Sequence, residues 1–294
     1  MKILILGTGK SGTTALLYKV AGGLPNCKVF SGGQPGKYSG DYENVVYKHT
    51  YEERKGKSFN LLNEHLQKEH YDRKIWIARD PRDAAVSRML YRWHKLYWWH
   101  GDYREKKKQY LAHLDLVLKK EKDPKSVPFH LICRYTGYNS WPSSTEQVVE
   151  EERFRYQRMT DFVKSLGEEW FLYRYEDMVS KKLNGLNDYL GFQVEEDAEI
   201  SQSTGKAKVV RKKGTGDWRN WFTEEDVELF KPAYLPYMAA IGYDCDDWAL
   251  SPDPAIEPEY SSMYMKSLPK RKPLDWIRHV KHRTGRRLSK KGKT

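Results

Sequence analysis

Short apolar runs recur along the chain, each bounded by glycine, proline, asparagine or charged residues. Runs of this length and composition are typical of buried β-strands. They predict strands at residues 3–6, 45–47, 75–78 and 170–173.

Helical patterns occupy the stretches around these runs. They predict helices at residues 13–21, 58–69, 81–97 and 144–166. Asp80 is the predicted N-cap of the third helix with Pro81 at its first position, and Ser144 with Gln147 forms a capping box for the fourth. Strands that alternate with helices indicate the α/β class. We expect a mainly parallel central sheet flanked by helices, with ligands bound at the carboxyl ends of the strands.

Two stretches depart from this alternation. Residues 98–141 are rich in Trp, Tyr, Lys and turn residues, which favours a lid or acceptor-binding insertion within a single domain of residues 1–250. Residues 244–260 are acidic and contain proline. Residues 251–294 are therefore predicted to be a connector and a basic C-terminal tail.

The positive charge is concentrated at the end of the chain. The net charge is +12, and residues 264–294 hold 12 Lys or Arg against the single acid Asp275. The basic balance thus describes the tail rather than the body of the protein. We expect no nucleic-acid partner.

Cysteine spacing and hydropathy bear on the compartment. Cys27, Cys133 and Cys245 share no spacing typical of a disulfide framework or a zinc site. No apolar stretch approaches the roughly 18 residues of a spanning helix, and the apolar run after Met1 is too short for a signal peptide. These features predict a cytoplasmic protein with reduced thiols.

A glycine-rich loop separates the first predicted strand from the first predicted helix. Residues 7–14 have the sequence Gly-Thr-Gly-Lys-Ser-Gly-Thr-Thr, and small residues at such a turn let backbone N–H groups approach a phosphate. In the P-loop of kinases and ATPases a lysine directly follows the last glycine. Here Thr13 follows Gly12, and Lys10 precedes that glycine by two residues. The loop predicts an anion cradle that differs from a kinase loop.

The core of this loop carries a family resemblance. The segment Lys10-Ser11-Gly12-Thr13-Thr14 resembles the 5'-phosphosulfate loop of the sulfotransferases that use 3'-phosphoadenosine-5'-phosphosulfate (PAPS). The resemblance implies a P-loop-like sulfotransferase fold. It also implies that these five residues bind the donor.

A second segment, after the third predicted strand, resembles the 3'-phosphate element of the same family. Arg79 is followed eight residues later by Ser87. Arg79 leaves the strand at its carboxyl end, and Ser87 lies about two turns along the next helix. A guanidinium and a hydroxyl can therefore converge on one phosphate.

Two more segments follow in the family's order. Tyr175 begins a Tyr-Glu-Asp-Met segment that resembles the element whose tyrosine contacts adenine. Residues 211–218 resemble the basic lid over the 3'-phosphate, and the resemblance implies roles for four residues: Arg211, Lys212, Lys213 and Gly214. Lys213 stands where the family has glycine, or else a one-residue gap aligns Gly214 with that glycine. Ala15 occupies a position where cytosolic members often carry a tryptophan that stacks on adenine, so the adenine contacts are not assigned.

The resemblance implies in-line transfer of a sulfonate group to a hydroxyl or amine, without a metal, and release of adenosine 3',5'-bisphosphate (PAP). Lys10 would offset charge on the leaving phosphate. Lys48 and His49 resemble the family's Lys-x-His segment, although here the two residues are adjacent. His49 is the predicted general base because the pKa of histidine lies near neutrality, with Glu52 or Glu53 as the alternative. Adjacent strand residues point to opposite faces, so the pair need not both reach the site.

The acceptor is suggested by an aromatic cluster. The cluster suits stacking on a sugar ring or binding of an aromatic or lipid acceptor, and it suits equally a hydrophobic lid that packs on the domain. The cluster consists of His94, Tyr97, Trp98, Trp99, His100 and Tyr103. A carbohydrate is the predicted acceptor. Two other function classes stay open: a P-loop nucleotide kinase or ATPase, and a non-catalytic binder of anionic polymers through the tail. The tail itself is predicted either to contact an anionic surface or to dock on the domain.

Overall fold

The computed structural model describes residues 1–31, 42–51, 70–93, 103–136, 142–198 and 214–268. Several predictions fall outside these residues. They are the helix at 58–69, the end of the helix at 81–97, the alternatives Glu52 and Glu53, residues 211–213 and the tail from 269 onward.

Five parallel strands form one sheet in the order β2-β3-β1-β4-β5. The strands are β1 (Lys2–Thr8), β2 (Cys27–Ser31), β3 (Asn44–Tyr51), β4 (Arg73–Ala78) and β5 (Trp170–Arg174). The predicted α/β class with a parallel sheet is confirmed. The four predicted strands correspond to β1, β3, β4 and β5, while the short edge strand β2 is additional.

Helices cover both faces of the sheet. They are α1 (Thr13–Gly22), α2 (Pro81–Tyr91), α3 (Tyr103–Lys122), α4 (Phe129–Cys133), α5 (Thr145–Lys164), α6 (Tyr175–Val179), α7 (Asn184–Leu190), α8 (Trp218–Trp221), α9 (Glu224–Ala240) and α10 (Ser262–Ser267). A short 3-10 helix spans Pro258–Tyr260.

Alternation along the strands divides the core into two layers. On β1, Ile3 and Ile5 pack with α1 and α7 on one face, whereas Leu6 joins the larger cluster on the other face, which α2, α3, α5 and α9 complete. Trp76 of β4 lies in this larger cluster and is fully buried. Both faces of the sheet are therefore covered, as parallel sheets require.

The predicted helix starts at residues 80 and 144 are confirmed. The Asp80 side chain accepts a hydrogen bond from the Arg82 N–H, with Pro81 in the first turn of α2. Ser144 and Gln147 form a reciprocal capping box at the start of α5. The cap at Asp80 fixes the start of the helix that follows Arg79.

The segments predicted as insertion and connector contribute to the core where the structure describes them. Val117 and Phe129 of α3 and α4 are fully buried, so residues 103–136 contribute a packed helical layer to the core. Their role as a lid or acceptor-binding insertion stays a prediction. Ile256, Tyr264 and Met265 are also buried in the larger cluster. The packed domain thus extends through residue 268. Among the described helices, none is long and apolar enough to span a membrane.

Candidate active site

Four segments that resemble sulfotransferase motifs meet at the carboxyl edge of the sheet. The glycine-rich loop follows β1, Lys48 and His49 lie near the end of β3, Arg79 follows β4, and Tyr175 follows β5. Because all the strands are parallel, their carboxyl ends share one edge. This edge is where open α/β sheets bind ligands.

The loop after β1 depends on two glycines. A Cβ atom at Gly7 would lie 2.6 Å from the Ile77 carbonyl oxygen, and one at Gly12 would lie 2.5 Å from the Tyr175 ring. Gly12 also has a φ of +87° and precedes the first residue of α1. Lys10 has a φ of +78°, which is unusual for a side-chain-bearing residue. The loop is therefore folded tightly onto its neighbours, with its lysine in a left-handed conformation.

Hydroxyl groups of the loop have different surroundings. The Ser11 side chain is fully buried, and its Oγ donates to the Thr8 carbonyl oxygen at 2.8 Å, so it closes the turn from inside. Thr13 is buried and Thr14 half-buried in the first turn of α1. Thr14 Oγ1 accepts a hydrogen bond from Lys48 Nζ at 2.9 Å.

The adjacent pair on β3 is divided between the two faces of the sheet. Lys48 is 3% exposed and reaches the loop through Thr14. His49 is half-buried and, by the alternation of strand residues, points to the opposite face, the one that α2 covers. The structure thus brings Lys48 to the loop beside α1 and places His49 on the α2 side. The catalytic role of His49 stays a prediction.

Arg79 contacts the glycine-rich loop, the segment that begins at Gly214, and Tyr175. Its Nη1 donates to the Lys10 carbonyl oxygen at 3.0 Å, and its Nη2 donates to the Gly214 carbonyl oxygen at 3.4 Å. Its guanidinium lies over the Tyr175 ring, 4.4 Å from the centroid. The Nε–H is buried and has no acceptor among the described residues. A buried guanidinium N–H without an acceptor is costly, which points to an anion as its partner.

The side chain of Lys10 extends toward α2. Its Nζ lies over the ring of Tyr91, 3.7 Å from the centroid. Tyr91 is the last residue of α2, one turn beyond the buried Ser87. Sequence patterns do not reveal this contact, since Tyr91 belongs to none of the motifs. It gives the predicted catalytic lysine an aromatic neighbour.

Glu176, the second residue of the Tyr-Glu-Asp-Met segment, connects two of the elements that surround the site. Glu176 accepts hydrogen bonds from the Asp80 N–H at 3.1 Å and from the Tyr243 hydroxyl. Burial raises the pKa of the Glu176 carboxyl. Glu176 therefore ties the turn after β4 to the start of α6.

Asp83 has the most perturbed carboxyl group near the site. It is 2% exposed, and its oxygens accept from the N–H groups of Gly216 and Trp218. Burial, and then the nearby Asp80 carboxylate, raise the pKa of Asp83 to about 7. A polar cleft of about 350 Å³ opens beside it. The cleft is lined by Asp80, Arg82, Asp83, Glu176, Thr215, Gly216, Trp218, Arg219, Tyr243, Asp244 and Asp247.

Several predicted site residues lie outside the described residues. Arg211, Lys212 and Lys213 are among them, although Gly214 is described and contacts Arg79. The aromatic cluster also lies outside, apart from the backbone of Tyr103 at the start of α3. Within the described part of the chain, no group of His, Cys, Asp or Glu side chains has an arrangement that would hold a metal.

Comparison with solved structures finds chains that align with most of this one. One is the crystal structure of mouse sulfotransferase SULT7A1 complexed with PAP, with 17% identity, a TM-score of 0.42, and coverage of 81% of this chain and 84% of that chain. Another is a sulfotransferase from Alicyclobacillus acidocaldarius, with 14% identity, a TM-score of 0.42, and coverage of 83% and 96%. Both are sulfotransferases. No protein-family model and no curated protein matches the chain. At these identities and TM-scores the likeness does not decide the function, which depends on the residues of the site.

Proposed function

We propose that the protein is a sulfotransferase that transfers a sulfonate group from PAPS to a hydroxyl or amine of an acceptor. The observation that carries the proposal is the environment of Arg79. One guanidinium contacts the glycine-rich loop, the start of the 214–218 segment and Tyr175, and keeps a buried N–H without an acceptor among the described residues. A doubly phosphorylated nucleotide has anionic groups at two ends, and this edge offers cationic groups in two places.

The residues present suit the two ends of such a donor. At one end, the tight loop leaves backbone N–H groups at the start of α1, next to the Lys48 ammonium. At the other end, Arg79 offers an N–H that has no acceptor among the described residues, and Ser87 lies two turns along α2. Charge-assisted hydrogen bonds of this kind are short, and they are stronger than neutral ones.

The chemistry that PAPS supplies is an activated sulfonate with a phosphate leaving group. For such a transfer the protein mainly positions the reactants and stabilises charge. Lys10 and Lys48 would neutralise charge on the leaving phosphate, and Thr14 would hold an oxygen beside them. His49, on the α2 side of β3, would take the proton from the acceptor.

For the acceptor we propose a carbohydrate. The support is compositional: tyrosine, tryptophan and histidine residues concentrate between residues 94 and 103, and flat aromatic rings stack well on sugars. Hydroxyl groups of a sugar also meet the requirement for a nucleophile whose proton a histidine can accept.

The test is a side-by-side titration of PAP, ADP and ATP with magnesium, by isothermal calorimetry at constant salt. We expect PAP to bind at least tenfold more tightly than ADP, with or without magnesium. Preference for ATP with magnesium would favour the kinase or ATPase alternative. If no nucleotide binds, the non-catalytic polymer-binding alternative gains. Turnover is then tested with radiolabelled PAPS and a panel of sugar, phenol and amine acceptors.

A further inference from the structure

Both carboxylate oxygens of Asp83 accept hydrogen bonds from one short segment, residues 216–218. Oδ2 accepts from the Gly216 N–H at 2.7 Å, and Oδ1 accepts from the Trp218 N–H at 3.0 Å. Gly216 has a φ of +78°, so the chain turns sharply between these two donors. The carboxylate thus holds residues 216–218 to the first turn of α2 by charge-assisted hydrogen bonds.

The chain just before this segment contacts Arg79. Gly214 accepts from Arg79 Nη2 at 3.4 Å and lies only two residues before the first N–H that Asp83 holds. A shift of the turn at Gly216 therefore moves the Gly214 carbonyl. The Arg79 guanidinium would lose one of the contacts that fix its plane.

The far side of the segment has anchors of its own. The Trp218 ring is fully buried and carries the Arg82 guanidinium 4.0 Å from its centroid. The Trp248 ring packs against it edge-on, at 5.9 Å between centroids. Loss of the Asp83 carboxylate would therefore loosen residues 214–216 while Trp218 stays in the core.

A carboxylate at this position has an electrostatic cost. Burial disfavours its charged form, and a negative charge beside Arg79 opposes the binding of an anion there. The two backbone hydrogen bonds stabilise the charged form and so offset part of that cost.

We propose that Asp83 is a positioning residue for the 3'-phosphate: it fixes the Gly214–Gly216 turn against Arg79 and so sets the affinity for the 3'-phosphorylated donor without touching it. This inference rests on the proposed function. The inference predicts that PAP binds more weakly when Asp83 loses its charge. Simple electrostatics predicts the opposite, because removal of a negative charge alone would strengthen anion binding.

The test compares Asp83→Asn with Asp83→Ala at pH 8, where the Asp83 carboxyl, with its pKa of about 7, is mainly charged. Asparagine keeps the size and one acceptor, whereas alanine removes both hydrogen bonds. We expect PAP affinity to fall about tenfold in the first variant and further in the second, with ADP affinity changed less than twofold. The KM for PAPS should rise while kcat at saturating PAPS stays close to the wild-type value.

The matched control is Asp244→Asn. Asp244 lines the same cleft and is exposed. Among the described residues it accepts a hydrogen bond only from within its own loop, from the Asp246 N–H at 2.9 Å. Removal of this charge should leave PAP affinity unchanged or slightly higher. An Asp83→Asn variant that behaves like this control would overturn the positioning role.

A local measurement separates the inference from the proposed function. Hydrogen exchange at the amides of residues 214–218 should accelerate in Asp83→Asn, with α2 and β4 unchanged. If exchange there is unaltered, Asp83 does not hold the turn, whatever the ligand. If the wild-type protein binds PAP and ADP equally, the proposed function fails together with the 3'-phosphate role. If the wild type discriminates between them and Asp83→Asn discriminates equally well, only the role of Asp83 fails.

Discussion

The Arg79 guanidinium stacks on the Tyr175 ring at 4.4 Å, which joins the residue after β4 to the residue after β5 at the sheet edge. The same ring limits the space at Gly12, where a Cβ atom would lie 2.5 Å away. The loop, the predicted 3'-phosphate element and the predicted adenine element are therefore one packed unit. A planar guanidinium can stack and donate in its own plane at once, which an ammonium cannot do.

We accordingly expect Arg79→Lys to fail as a conservative change. Loss of the in-plane donors removes roughly 1.5 to 3 kcal/mol of charge-assisted hydrogen bonding, so PAP affinity should fall at least about tenfold in a calorimetric titration. ADP binding should change little. The control is Arg73→Lys, at the amino end of the same strand, where the guanidinium contacts Tyr189. Equal loss of PAP affinity in both variants would contradict a specific role for Arg79.

The location of the site follows from the sequence because each motif directly follows an apolar run. Once the runs form parallel strands, Lys10, Arg79 and Tyr175 must share an edge. The contacts between these segments could not be predicted in this way. The contact of Arg79 with Gly214 joins residues 135 positions apart, and no local pattern encodes it. The lysine contact with Tyr91 likewise depends on how α2 packs beside the loop.

Some helices and one strand were not predicted because local features of their sequences hide the expected pattern. Helix α9 contains Pro232 and Pro236, residues that normally end a helix, although Thr223 and Asp226 form a capping box at its start that gives a usable signal. Helix α3 carries many lysines on its outer face, which obscures the buried positions facing the core. Strand β2 is a short edge strand and has no continuous apolar run.

Lys48 and His49 can be separated kinetically because they point to opposite faces of β3. We expect His49→Ala to lower kcat by roughly a hundredfold or more, with PAP affinity intact and the acid limb of the kcat pH profile lost. Lys48→Met removes the ammonium that contacts Thr14 and should weaken donor binding as well. Near-normal turnover in His49→Ala would transfer the role of base to Lys48, Glu52 or Glu53.

Tyr91 offers a test of the lysine's surroundings. A cation–π contact at 3.7 Å contributes about 0.5 to 2 kcal/mol, and it restricts the Lys10 ammonium to one side of the loop. Tyr91→Leu should therefore lower kcat/KM for PAPS by roughly 2- to 30-fold, whereas Tyr91→Phe, which keeps the ring, should stay within twofold. Equal effects of the two substitutions would mean that the hydroxyl or the packing matters rather than the ring face.

A largely buried ion pair fastens α2 to the helical layer behind it. Arg88 donates to Glu152, which also accepts from the Tyr234 hydroxyl at 2.8 Å. Burial tends to raise the pKa of Glu152, but the guanidinium groups of Arg88 and Arg155 hold it below its usual value. The charged pair therefore contributes stability above the ordinary carboxyl pKa of 4.5, and this contribution is lost as the pH falls through the lower folded-state pKa.

Glu152→Gln leaves the Arg88 cation without its counter-charge, and we expect the free energy of unfolding to fall by about 3 to 5 kcal/mol in urea titrations at pH 7. The control is Glu150→Gln, two residues earlier in the same helix, whose pair with Arg153 is more than half exposed. Such a surface pair contributes at most about 1 kcal/mol. Similar losses for both variants would show that the buried pair contributes no more to stability than the exposed pair does.

A truncation that tests the role of the basic tail must begin after Leu268, because the preceding helix, α10, belongs to the core. Tyr264, Met265 and Leu268 are nearly or fully buried, and Glu121 accepts hydrogen bonds from the backbone and hydroxyl of Ser262. Removal of residues 262–294 would delete these three apolar side chains, each contributing about 1.5 to 3 kcal/mol of burial. It would also expose the core residues that they cover, so it should unfold or aggregate the protein.

Removal of residues 269–294 alone should leave the melting temperature and PAP affinity unchanged while it removes most of the net positive charge. If the tail binds an anionic surface, the full chain should associate with vesicles rich in phosphatidylserine at about 50 mM salt and dissociate steeply toward 300 mM, because the attraction is screened. The shortened chain should not sediment with the vesicles at either salt concentration. Heparin in the same assay distinguishes a lipid surface from an acidic glycan. Vesicle binding that survives the truncation would place the anionic contact on the folded domain, and a large loss of stability would mean that the tail docks on it instead.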